Sequence, residues 1–213
     1  MAHSSFTKEI SMELAFAHEK LLKYISDRVQ ITEAEAQIIK DKFHLRKLSK
    51  KDYFVSVGNT NFQQGYVVGG ALRVFYTDPK GNEHVMYFAF ADWWVGDLAG
   101  FHFNEAATLS VQALEDSYIL EVSKSDIEEM YLQVPALERL FRIMAQRTLA
   151  VLQKRFLLTI SSHAEERYKE LLQRHPGIEQ IVAQHQIASY LGILPESLSR
   201  MKKKLYVSSP NKK

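Results

Sequence analysis

Cysteine is absent from this 213-residue chain. That excludes disulfides, thiolate-held iron–sulfur clusters and a cysteine nucleophile. Long apolar runs are also missing: nothing approaches the roughly 20 residues needed to span a bilayer. The opening Met-Ala-His-Ser-Ser-Phe-Thr-Lys-Glu lacks the apolar core of a secretory signal. These absences together lead us to expect a cytoplasmic protein with no membrane partner. There is no low-complexity linker and no internal repeat. The eight histidines (His3, His18, His44, His84, His102, His163, His175 and His185) form no His-x-His or His-Glu-x-x-His array. His102 and Glu105 lie close in sequence but have no third partner. We therefore expect no metal, no cofactor and no catalytic site, so the chain does not read as an enzyme.

Net charge is also small, +2, but it is unevenly spread. Residues 195–213 carry six Lys/Arg against one Glu, a local charge of +5. The other 194 residues carry 21 basic against 24 acidic side chains, a charge of −3. Contact with phosphates requires local rather than global positive charge.

The basic end coincides with the most informative stretch of the chain, residues 186–205. It reads as two short helices joined by a tight turn. Ala188 is small where two helices would cross closely. Gly192 follows Leu191 and can take the left-handed conformation that ends a helix. Pro195 suits the first turn of the next helix, where its missing N–H costs nothing. Leu198, Met201 and Leu205 repeat at helical spacing as one buried stripe. Glu196, Ser197, Ser199, Arg200, Lys203 and Lys204 fall on the other faces. Leu194 stands at the N-cap, where Ser, Thr, Asp or Asn would serve better.

Upstream, residues 6–26 have helical periodicity through Leu14, Ala17, Leu21, Leu22 and Ile25. A second helix starts at Thr32, whose spacing to Glu35 is that of a capping box, and ends near Phe43. From about Leu45 to Val122 the pattern is β, with strands at 53–57, 66–68, 72–76, 84–90, 107–112 and 117–122. Asp78-Pro79-Lys80-Gly81-Asn82 is a hairpin turn, and Gly69-Gly70 a sharp bend. Many short strands with close turns indicate an antiparallel barrel or roll. Ser125 is placed to cap a short helix to Gln133. Pro135 then begins a long helix to about Ile160. In it Leu137, Phe141, Met144, Thr148, Val151, Arg155 and Leu158 alternate in steps of four and three, the spacing of a coiled-coil seam. One more helix, 164–174, precedes the helix-turn-helix. Trp93 and Trp94 read as core aromatics. The fold class is α+β, divided as lead-in helices and roll (1–134), long helix (135–160) and helix-turn-helix (161–213).

This order resembles the Crp/Fnr family of bacterial transcription regulators over roughly residues 28–206. Residues 186–193 with Pro195-Glu196-Ser197-Leu198-Ser199-Arg200 are similar to its DNA-binding signature. Trp93-Trp94-Val95-Gly96-Asp97-Leu98, followed by Val111-Gln112-Ala113-Leu114-Glu115-Asp116-Ser117, resembles the effector segment of the Crp-like regulators of Bacteroidetes. The resemblance implies a cyclic-nucleotide-binding-like jelly roll and a homodimer along the long helix, with Leu137, Phe141, Met144, Thr148, Val151 and Leu158 as its seam. It also implies two recognition helices on an inverted repeat in double-stranded DNA. Glu196 and Arg200 match positions that reach base edges. Ser197 and Ser199 are candidates for base edges or phosphates. Lys202, Lys203 and Lys204 suit phosphates, and Gln186 and Ser189 the DNA backbone. RNA polymerase is a further candidate partner. Only residues 206–213 follow the recognition helix, so a complete wing is not expected.

In the family's nucleotide-binding members, a Glu after the Gly of a Gly-Glu-Leu motif holds the ribose, and an Arg-Ser pair holds the cyclic phosphate. Here these positions are Gly96-Asp97-Leu98 and Ala107-Thr108. The phosphate-binding Arg is replaced by Ala107, and Arg73, elsewhere in the roll, is a candidate to compensate. The effector is thus expected to be an unknown small molecule or absent, and not cAMP. The competing reading is a small-molecule-sensing β-roll whose C-terminal helices make protein contacts.

Overall fold

The computed structural model describes residues 2–161 and 163–208, and side chains at 13–159 and 163–205. Helix α1 (Ala2–Ser26) and α2 (Glu33–Lys42) lead in. The strands are β1 (His44–Leu48), β2 (Tyr53–Val55), β3 (Gln63–Gly69), β4 (Leu72–Thr77), β5 (Glu83–Ala89), β6 (Trp94–Val95), β7 (Leu109–Ala113) and β8 (Ser117–Ser123). Helix α3 (Leu98–Phe103) interrupts them. Helices α4 (Lys124–Gln133), α5 (Pro135–Ser161), α6 (Ala164–Arg174), α7 (Ile178–Ile181), α8 (Gln184–Leu191) and α9 (Pro195–Ser208) follow. No helix among the described residues is long and apolar enough to cross a membrane.

The strands form two four-stranded sheets, ordered β1-β8-β3-β6 and β2-β7-β4-β5. The pairings β1–β8, β2–β7, β3–β6 and β3–β8 are all antiparallel. By their contacts the residues fall into two compact units. One holds the chain up to Val74 together with Phe88–Thr148. The other holds Phe75–Tyr87 together with the chain from Leu149 onward.

In the first unit, helical periodicity delivers Ala17, Leu21 and Ile25 of α1 to the same core as Ile39, Tyr66, Leu120, Val122, Ile127 and Met130. Thr32 caps α2 as its sequence suggests. Its hydroxyl accepts from Glu35 N–H, and Glu35 returns a bond to Thr32 N–H at 2.7 Å. Such a cap contributes about 0.5–2 kcal/mol. Gly70 (φ +94) turns β3 into β4. A Cβ there would meet Ser117 at 2.2–2.7 Å, so only glycine fits.

Three expectations need correcting. The cap of α4 is Ser123, whose hydroxyl accepts from Asp126 N–H, and not Ser125: the helix starts one residue after the strand ends, leaving Ser123 as the half-in residue. Leu137 is 1% exposed and belongs to its own roll's core, so it is no seam residue. Trp93 is 39% exposed, while Trp94 packs on Phe43, Tyr66 and Phe141. Strand β6 begins only at Trp94, so Trp93 stands in the turn before it.

In the second unit, Tyr168, Leu171, Ile178, Val182, Ile187, Leu191 and Leu198 are buried. The Arg167 guanidinium donates to the Leu191 carbonyl at 2.9 Å, satisfying an orphan acceptor at the end of α8.

Candidate functional site

Helix α8 ends at Gly192 in the left-handed conformation (φ +67), and Pro195 starts α9 two residues after Ile193. Leu198, at 0% exposure, anchors α9 inward, with Met201 and Leu205 half-buried beside it. Opposite Leu198, Glu196, Arg200 and Lys203 follow each other by four and three residues on one exposed face. Ser199 and Lys204 are exposed on its flanks. Arg200 donates to Ser197 at 3.3 Å, a contact with a neutral hydroxyl that leaves its charge uncompensated there.

Not every residue expected to touch DNA is on that face. Lys202 is paired with Glu179, which also accepts from the Tyr168 hydroxyl at 2.8 Å. Its position explains this, because residue 202 lies one turn beyond Leu198 and so shares the inward side. Gln186 reaches back to Ala183 N–H at 3.3 Å, as an N3 residue does in a capping box. Ser189 bonds to backbone groups of β5. Residues 209–213, part of the segment expected to leave no complete wing, lie outside the described residues.

Of the expected effector residues, Asp97, Ala107 and Thr108 come together, but around a different occupant. Asp97 is 5% exposed and caps α3. One carboxylate oxygen accepts from Gly100 N–H at 3.0 Å. The other accepts from Thr108 N–H at 2.6 Å, Leu109 N–H at 2.9 Å and the Thr108 hydroxyl at 3.2 Å. Burial pushes the Asp97 carboxyl up, but the amides of Gly100, Leu109 and Thr108 outweigh it and hold it below the usual carboxylate range. Gly100 permits the approach, since a Cβ there would stand 2.8 Å from the Glu105 carbonyl. Beneath lies a cavity of about 10 Å³ lined by Val55, Asn59, Gln63, Asp97, Phe101 and Ala107, room for about one water. Gly96 and Leu98 flank the carboxylate in sequence, and Leu98 is 52% exposed. Arg73 is engaged with a neighbouring strand. It is 5% exposed, and its guanidinium donates twice to Gln112, at 2.9 and 2.7 Å. Among the described residues no cluster of three or more His, Asp or Glu could hold a metal ion.

Along α5, Phe141 and Met144 pack against the roll core. Thr148 and Val151 are exposed, Leu158 is half-buried, and Arg155 lies 4.8 Å over the Tyr190 ring. The largest exposed apolar side chains are Leu149, Leu152, Phe156 and Leu157. Ala145, Leu149, Leu152 and Phe156 form a four-three-four stripe displaced by one position from the expected seam.

The cyclic nucleotide-binding domain family model matches residues 45–134. The transcriptional activator Anr of Pseudomonas protegens is 30% identical over 169 residues, 73% of this chain and 68% of that protein. Anr of Pseudomonas aeruginosa is 26% identical over 181 residues, covering 76% and 73%. The fold is that of the c-di-GMP-responsive global regulator CLP of Xanthomonas campestris, with a TM-score of 0.65 at 16% identity over 85% of this chain and 97% of that one. A sensing roll whose C-terminal helices serve only protein contacts is not favoured by these relatives. The jelly roll, the helix-turn-helix that follows it and the similarity to Anr identify the chain as a member of the Crp/Fnr family of transcription regulators.

Proposed function

We propose that this regulator reads an inverted repeat as a homodimer through the exposed face of α9, without a cyclic nucleotide. The observation that carries the reading is the Glu196–Arg200–Lys203 face, held outward by the buried Leu198. Arg200 grips guanine, Glu196 accepts from a cytosine amino group, and Lys203 and Lys204 meet phosphates. Ser199 lies at the edge of the same face. Two subunits joined along Ala145, Leu149, Leu152 and Phe156 would set their α9 helices about 34 Å apart, one helical turn of DNA. The place of action is the cytoplasm. The relatives named activators support activation, with RNA polymerase as the partner.

The effector arm of this reading rests on Asp97. The amides that would greet a phosphate already bind a carboxylate, and the space behind it holds about one water. A cyclic nucleotide would have to displace an anion that is covalently part of the chain, with no Arg to pair its own charge.

The test begins with duplexes enriched by the purified protein from random-sequence DNA. Arg200→Ala should cost roughly 1–3 kcal/mol at one base position of each half-site and relax specificity there. Lys203→Ala should weaken enriched and random duplexes alike and make the salt dependence shallower by about one unit for each phosphate it no longer neutralises. Equal losses on enriched and random DNA for Arg200→Ala would remove it from base reading.

A further inference from the structure

Strand β5 lies at the edge of its sheet, in the order β2-β7-β4-β5. Its outward backbone groups therefore need partners from elsewhere. One side chain supplies two of them. The Ser189 hydroxyl, on the first helix of the helix-turn-helix, donates to the Glu83 carbonyl at 2.7 Å and accepts from Val85 N–H at 2.9 Å. Glu83 and Val85 are two residues apart, so both groups point to the same side of the strand. A single hydroxyl thus does for the edge what a neighbouring strand would do. Val85 is 6% exposed. At the far end of the hairpin, Asp78 fixes the turn by accepting from Lys80 N–H and Asn82 N–H, both at 2.9 Å. The segment Phe75–Tyr87 accordingly belongs to the same compact unit as α8 and α9, although β4 and β5 continue into the roll.

We infer that Ser189 is a latch which fastens the β4–β5 hairpin to the DNA-reading helices, and that the latched form is the one that binds DNA. This rests on the DNA-reading function proposed above. Two observations set the sign. With the latch closed, Glu196, Ser199, Arg200 and Lys203 are all exposed, so the docked hairpin leaves the reading face open. Ser189 is also spent on β5, which removes it from the DNA contacts and gives it a positioning role. The hairpin is then a mechanical handle: whatever shifts β4 and β5 acts on α8 without passing through α5.

Hydrogen exchange at the Val85 amide reads the latch directly. Two neutral hydrogen bonds support a closed-to-open ratio of about ten, so in Ser189→Ala that amide should exchange about tenfold faster. Ser189→Thr keeps the hydroxyl and should restore slow exchange. Because coupling is reciprocal, the enriched inverted-repeat duplex should slow Val85 exchange in the wild-type protein. Ser189→Ala should bind that duplex only about twofold more weakly, since a latch falling from ten-to-one to parity loses half its competent population. Unchanged Val85 exchange in Ser189→Ala would overturn the latch. Faster exchange on adding duplex, or tighter duplex binding by Ser189→Ala, would overturn its sign. Failure of the wild-type protein to bind any enriched duplex, with the tenfold exchange difference intact, would instead sink the DNA reading and leave the latch standing.

Discussion

Replacing Asp97 tests the physics of the effector end. Its carboxylate takes four hydrogen bonds while 5% exposed. A hydrogen bond to a charged group contributes about 1.5–3 kcal/mol, and a buried donor left unpaired costs about 1–3. Not all four count fully. Thr108 is exposed, so its amide and hydroxyl recover water in a variant, whereas Gly100 is buried and Leu109 half-buried. We therefore expect Asp97→Ala to cost about 2–4 kcal/mol at pH 7. Asp97→Asn should cost somewhat less, because its carbonyl can keep the Thr108 and Leu109 amides while its NH₂ opposes Gly100 N–H. The pH dependence follows from the depressed carboxyl. A group whose folded pKa lies below its unfolded value contributes stability above the unfolded value, about 3.9, and loses it as pH falls through the folded one. The gap between wild type and Asp97→Asn should be complete at pH 7 and close below about pH 4. Urea unfolding followed by tryptophan emission measures it locally, because the chain's only two tryptophans, Trp93 and Trp94, stand just before Asp97. Equal midpoints at pH 7, or a gap that persists undiminished at pH 3, would refute the reasoning.

Two further outcomes follow from the same geometry. Phe156→Asp or Leu152→Asp should give a monomer by light scattering at micromolar concentration, because two charges would be buried face to face, while Leu137→Asp should instead unfold the roll that buries it. A wild type that is itself monomeric would exclude the α5 stripe as an interface. Titration calorimetry with cAMP or cGMP at about 100 μM should show no saturable heat, whereas a micromolar Kd would yield about −8 kcal/mol of binding and be easily seen.

Most of the architecture was legible because local rules agreed with the global fold. The Thr32–Glu35 capping box, the Pro135 start of α5 and the Gly192 turn all follow from positions where one residue type is physically favoured. What escaped was decided by distant partners. Heptad spacing placed Leu137 and Phe141 on a seam, but spacing reports only that a stripe is apolar, and the roll's own core claims those two first. Lys202 was legible in principle: its position one turn past Leu198 is an inward one, and a lysine there calls for an acid such as Glu179. Ser189 was not, because no local pattern announces the edge of a strand about a hundred residues upstream. Arg73 and Gln112 meet across paired strands, which periodicity within one strand cannot show.

The closing of the effector end can be traced to two residue choices that act together. Asp serves where Glu would not, because its shorter stem keeps the carboxylate within reach of the first turn of its own helix, the N-cap geometry. Asp97 uses it on Gly100, and the same carboxylate extends to Thr108 and Leu109 at the entry of β7. Ala107 is the second choice. An arginine at that point would bring a cation into competition for the carboxylate and would need a way out of a 6%-exposed position. Alanine removes both problems, and its own amide and carbonyl are tied to Asn59 and Gly58. Each change alone would leave a flaw: a phosphate-ready amide set without an anion, or a buried arginine without a ligand. Together they leave the amides of Gly100, Thr108 and Leu109 satisfied from within the chain.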